Sequence, residues 1–134
     1  MTDLTTHLVP ARLLAQGLAV TALTGIALVH LVQLPDAWRQ MPGLAALFTL
    51  LIIASAAVAS LLLHTDHRRL WRAAALIAVG SIGGYLLTRG VAVPFDRDDV
   101  GNWLEPLGLV ALFIEASLLA LCGYTLRTLP TDTA

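Results

Sequence analysis

The chain has no lysine, a single cysteine and few charges of any kind. All eight basic residues among its 134 are arginine. A Schiff base to retinal or pyridoxal phosphate needs a lysine amine, so that chemistry is excluded. With only Cys122, neither an internal disulfide nor the paired-thiol redox chemistry of a quinone-linked oxidase is available. That cysteine reads as a small apolar packing residue. Charged residues make up 13% of the chain, against about 25% in soluble domains. The net charge is −1 and no run of basic residues is massed, so nothing favours nucleic acid as a partner.

What fills the chain instead is apolar. The hydrophobic fraction is 57% and the mean hydropathy +0.80. Four stretches reach the length of about eighteen residues that separates a membrane span from a buried core helix. They predict helices over about Arg12–Leu34, Gly43–His64, Leu70–Thr88 and Pro106–Arg127. The expected fold is therefore all-α, an integral membrane four-helix transmembrane bundle over residues 1–134, with the lipid bilayer as its first partner. The start, MTDLTTHLVPAR, lacks the charged region and cleavage pattern of a secretory signal, so the first stretch is expected to be retained. Pro10 precedes that helix, Pro35 is expected to close it, and Pro42 and Pro106 stand where a helix start tolerates proline.

Arg12, Arg68, Arg69, Arg72 and Arg127 fall on one side of the spans, and Arg39, Arg89 and Arg97 on the other. The positive-inside rule then puts both termini and the HTDHRR connection in the cytoplasm. PDAWRQMP and RGVAVPFDRDDVGNWLEP become the outer connections. Trp38 and Trp103 fit an outer aromatic belt and Trp71 an inner one. Gly80 and Gly84 have GxxxG spacing, and Ser55 with Ala59 and Ala56 with Ser60 repeat it, a pattern that supports close helix contact within the bundle or between protomers.

Glu115 is the most informative residue. It lies nine residues into the fourth span, a rise of about 13 Å that brings it close to the membrane midplane. Its neighbours one turn away, Ala111, Leu112, Leu118 and Leu119, are all apolar. An intramembrane carboxyl group must therefore find another helix, a water, a ligand or its own proton. It can act as interhelical glue, a ligand anchor, a proton carrier or a metal ligand. His30 and Gln33 share a helix face three residues apart near the outer end of the first span, with Arg89 and Glu105 at the same level opposite. An outward polar pocket built from His30, Gln33, Arg89 and Glu105, with Glu115 as its floor, is the expected ligand or proton site; the alternative is a set of snorkelling interfacial side chains. Metal ligation is not expected, because the spacing of di-iron bundles is absent. The acidic run Asp96, Asp98 and Asp99 lacks most of a calcium loop and reads as solvated. His64 is a membrane thickness from His30, which makes a haem held between them implausible. No cofactor can be named.

The segment from Arg89 to Glu115 combines an arginine closing one helix, the turn at Pro94, the acids Asp98 and Asp99, the start Gly101, Asn102, Trp103, Glu105, Pro106 and Gly108, and a glutamate within the last span. In this it resembles small four-helix transmembrane proteins of unknown function from high-GC Gram-positive bacteria, and HLVQLPDAW resembles the first outer turn of the same group. Where those turns often read G-L-P, this chain reads V-A-V-P. The resemblance implies a multi-pass protein of a bacterial plasma membrane whose working face is the outer one. It implies no activity.

Three functions fit these features. The first is a non-catalytic module that binds a small molecule, a lipid or a partner membrane protein, as a sensor, carrier or accessory subunit. The second is an oligomeric proton-coupled transporter or channel unit using Glu115. The third is an enzyme acting on a lipid or quinone with His30 as base and Arg89 as anion clamp. No nucleophile, base and orienting group can be named together, so the enzyme ranks last.

Overall fold

A computed structural model gives the fold and describes residues 11–94, 96–97 and 99–128. Four helices follow one another: α1 (Ala11–Gln40), α2 (Pro42–Leu62), α3 (Arg68–Gly90) and α4 (Pro106–Thr128). Each is long and apolar enough to cross a membrane, and together they make an all-α four-helix bundle, the architecture of a multi-pass membrane protein. Pro10 and Asp98 lie outside the described residues.

The inward faces are marked by size and polarity rather than by hydrophobicity. On α3 the stripe is Trp71, Ala74, Ala78, Ser81, Tyr85 and Thr88, and on α4 it is Gly108, Ala111, Glu115, Leu118, Cys122 and Thr125. Both step by alternating intervals of three and four residues, the spacing that keeps one face toward a partner in left-handed bundles. Large apolar side chains such as Leu50, Leu76 and Phe113 face outward instead. Such an arrangement suits a lipid solvent, in which leucine gains nothing by burial and small residues let backbones approach. Between α1 and α4 the approach is close at Gly25, where a Cβ would stand 3.2 Å from the Ile114 side chain.

Several hydroxyls along the spans are satisfied locally, while that of Ser55 in α2 is buried without a partner among the described residues. Thr21, Thr24, Thr49, Ser60 and Ser117 each donate to the carbonyl four residues before, at 2.8 Å, so these five donors are not offered to lipid.

Two ends can be distinguished by charge. At the basic end Arg12 pairs with Asp66 at 2.9 Å, Arg68 donates to the Leu126 carbonyl at 2.8 Å, and the Gln16 amide donates to the Leu62 carbonyl at 3.1 Å. These contacts bring the start of α1, the α2–α3 connection and the end of α4 together, giving up-and-down connectivity. The acidic end carries the α1–α2 connection and the loop from Val91 to Glu105.

Two expectations are corrected here. Pro35 does not close α1, which continues to Gln40 and leaves Met41 as the whole connection to α2. A proline deep in a helix removes one backbone bond, here to the Leu31 carbonyl, and near the end of a span that carbonyl can be met by water. PDAWRQ is thus helix. Trp71 is not an interfacial anchor: it is fully buried in the bundle core, and its indole N–H donates to Asp66 Oδ1 at 2.6 Å. The phase of α3 turns it inward, and the acid next to it accepts the one polar group it carries. Trp38 and Trp103 are exposed, at the acidic end.

Candidate functional site

A cavity of about 700 Å³ opens among the four helices toward the acidic end. It is bordered by His30, Gln33, Arg89, Glu105 and Glu115, so the structure brings all five expected residues to one space. They do not all address it in the same way.

Glu115 is the floor. It is 1% exposed, and its Oε1 accepts the hydroxyl hydrogen of Ser81 on α3. Among the described residues no protein group reaches Oε2. Beyond this pair, toward the basic end, lie Leu23, Leu62, Trp71, Ala74 and Leu118, all buried in one apolar cluster. The cavity is therefore blind.

His30 is buried higher on the wall. Gly25 and Ile114 are level, and from them a rise of about 1.5 Å per residue sets His30 about 9 Å nearer the acidic end than Glu115. Its Nδ1–H donates to the Ile26 carbonyl at 2.8 Å, which fixes the tautomer and leaves Nε2 as an acceptor. The ring meets Phe48 of α2 edge-on, with centroids 4.8 Å apart.

The rim of the mouth is braced by its own charges. Arg89 pairs with Asp99 at 2.9 Å, donates to the Thr88 hydroxyl at 2.9 Å, and lies 4.7 Å from the centre of the Tyr85 ring. Tyr85 in turn donates its hydroxyl to the Trp103 carbonyl at 2.6 Å, and the Gly101 amide reaches the Arg89 carbonyl at 2.9 Å. Gly101 sits at φ 81°, a conformation that glycine adopts without strain, as this turn requires. Arg89 thus ties the loop to α3. Glu105 caps α4, accepting from the amides of Leu107, at 3.0 Å, and Gly108. A carboxylate there satisfies two orphan donors and meets the positive end of the helix. Gly108 has to be glycine: a Cβ would stand 2.7 Å from Tyr85 Cε2 and 2.8 Å from Glu105 Oε2.

Gly80 and Gly84 border the cavity, and a Cβ at either would meet nothing within 4 Å. The GxxxG pattern keeps a wall thin here and brings no helix close among the described residues. Ser55 and Ala59, by contrast, are buried in the bundle. Ser81, Phe48 and Tyr85 are site residues that were not anticipated. A signal for Ser81 was present: it lies nine residues before Gly90, as Glu115 lies nine after Pro106, so equal depth could be counted.

The acidic loop is not simply solvated, as its sequence suggested. Asp96 is 1% exposed, accepts the Asp99 amide at 3.4 Å, and has no partner for Oδ2 among the described residues. Burial, and then the charge of Asp99, push its carboxyl above the usual aspartate range. A raised folded value means that loop closure gains from the protonated form. The gain is full below the unfolded value of about 3.9 and is lost as pH rises through the folded one. We therefore expect amide protection over residues 91–105, corrected for intrinsic exchange, to weaken as pH rises from about 4 toward neutrality. Asp96→Asn should flatten that dependence in hydrogen–deuterium exchange. Among the described residues no three His, Cys, Asp or Glu side chains cluster as a metal site.

Comparison with family models, curated proteins and solved structures finds no match to this chain.

Proposed function

We propose that this protein is a small multi-pass protein of the bacterial plasma membrane that binds a small molecule, a lipid or a segment of a partner in an outward-facing pocket, as a sensor, carrier or accessory subunit. Both termini are cytoplasmic in this reading, because the basic end carries Arg12, Arg68, Arg69, Arg72 and Arg127. The observation that carries it is the blind cavity: apolar walls, a carboxyl floor and one free imidazole nitrogen, within the roughly 300–1,000 Å³ usual for ligand sites. A transporter or channel unit using Glu115 is less well supported. The apolar packing of Leu23, Leu62, Trp71 and Leu118 offers a proton no route past Glu115 within one chain. An enzyme acting on a lipid or quinone is disfavoured as well, since Arg89 is engaged by Asp99 and cannot clamp an anion without releasing the loop.

The test is native mass spectrometry of the protein released gently from its own membranes. The expected result is a defined adduct that disappears when the cavity is filled by Gly84→Trp, while helicity is retained. An adduct-free spectrum from both the wild type and the variant would overturn the reading.

A further inference from the structure

The charges around the cavity select among occupants. Four carboxyl groups border it: Asp36, Asp99, Glu105 and Glu115. Three of them are engaged at the mouth. Asp36 pairs with Arg39 at 3.1 Å, Asp99 with Arg89, and Glu105 with the first amides of α4. Glu115 has only a neutral hydroxyl beside it. The one guanidinium that borders the space is engaged, and His30 presents an acceptor. Among the described residues, then, the one cationic group bordering the cavity is already paired with Asp99, with only its buried Nε–H left unpartnered, whereas the carboxyl group at the floor lacks a counter-charge.

The same cavity opens sideways. α2 and α3 pack less closely than any other neighbouring pair of helices. Leu47 and Leu50 on one side and Leu87 on the other are exposed and border the cavity. An occupant reaching Glu115 by this route comes from the membrane interior and must be soluble there.

We infer that the occupant is a lipophilic cation, an amine or onium group on an apolar frame, which enters between α2 and α3 and is neutralised at the floor by Glu115. The inference rests on the binding reading above and adds the charge of the ligand to it. A buried ion pair costs the hydration of both its members, and an onium group shielded by an apolar frame is weakly hydrated and has the least to lose, while the apolar walls hold the frame. His30 Nε2 is positioned to accept a hydrogen bond from a donor on the same molecule, about 9 Å nearer the mouth.

The test uses two probes of the same shape and opposite charge, tetraphenylphosphonium and tetraphenylborate, on the full chain in nanodiscs, with empty discs as the blank. Protein-dependent binding is expected to favour the phosphonium by roughly tenfold or more, which corresponds to about 1.4 kcal/mol. Glu115→Gln, which keeps the size of the side chain and the Ser81 contact, should bring the two probes within about threefold of each other, and Gly84→Trp should remove both. Discs made with an aminated headgroup lipid separate two sources of the cation. Weaker phosphonium binding there, relative to glycerol-headgroup discs, points to the headgroup, and equal binding to a free amphiphile. Equal binding of the two probes, or a phosphonium affinity unchanged by Glu115→Gln, overturns the cation while leaving the pocket standing if Gly84→Trp still abolishes both. Absence of protein-dependent binding of either probe overturns both readings.

Discussion

Trp71→Ala is expected to be the most damaging single substitution in the bundle, lowering stability by about 3 kcal/mol or more. The side chain is wholly enclosed in the core cluster that also holds Leu62, Ala74 and Cys122, and its removal leaves a cavity there. In a membrane the loss is one of packing contacts rather than of hydrophobic transfer, since the unfolded helix would also be surrounded by hydrocarbon. A second loss follows at Asp66, whose Oδ1 accepts the indole N–H while Oδ2 holds Arg12. Thermal unfolding in detergent, followed by far-ultraviolet circular dichroism, measures the effect. Trp71→Phe, which restores volume without the donor, should recover more than half of the lost stability. A variant as stable as the wild type would mean that the core at the basic end does not depend on this residue.

Arg89→Met is the second. The stem is kept, so the change isolates the guanidinium. Its ion pair with Asp99 is largely shielded, with the arginine side chain 11% and the aspartate 26% exposed. Breaking a buried pair costs about 3–5 kcal/mol, and partial water access lowers that. The stacking on Tyr85 adds about 0.5–1 kcal/mol. A net loss of about 2 kcal/mol in loop closure is expected, seen as a roughly thirtyfold rise in amide exchange over residues 91–105, with the spans unaffected. Arg89→Lys keeps the charge without the flat fork and should fall between the two. Exchange in Arg89→Met that matches the wild type would show that the Gly101 to Arg89 backbone bond and the Tyr85 hydroxyl suffice to hold the loop.

Reading the chain from its residues succeeds or fails according to which physical rule governs each position. The four spans are legible because hydrocarbon thickness imposes a length, and no other constraint produces four such runs. Glu115, His30, Gln33, Arg89 and Glu105 reach one cavity because, unlike a hydroxyl that can bond back to its own helix, a large polar or ionisable side chain in or beside a span is accommodated by facing the bundle interior. What each then does is set by neighbours that sequence distance hides. Glu105 caps its own helix and Arg89 holds Asp99, so two of the five are structural supports at the mouth. Pro35 and Trp71 mislead for different reasons. A rule about residue type, proline as a terminator or tryptophan as an anchor, overlooks where along the helix the lost bond falls and which way the face points. The interval from Trp71 through Ala74 and Ala78 to Ser81 carried that direction.

The continuation of α1 past Pro35 has a mechanical consequence. Thirty residues of helix measure about 45 Å, whereas the hydrocarbon core of a bilayer is about 30 Å thick. The apolar part, Leu13 to Leu34, accounts for about 33 Å of that length, so the remainder, with Asp36 and Arg39, stands proud of the hydrocarbon in the polar layer. His30, Gln33 and Ala37 fall on either side of that boundary and form one wall of the cavity. One wall of the cavity is thus unbroken helix from the hydrocarbon into the polar layer.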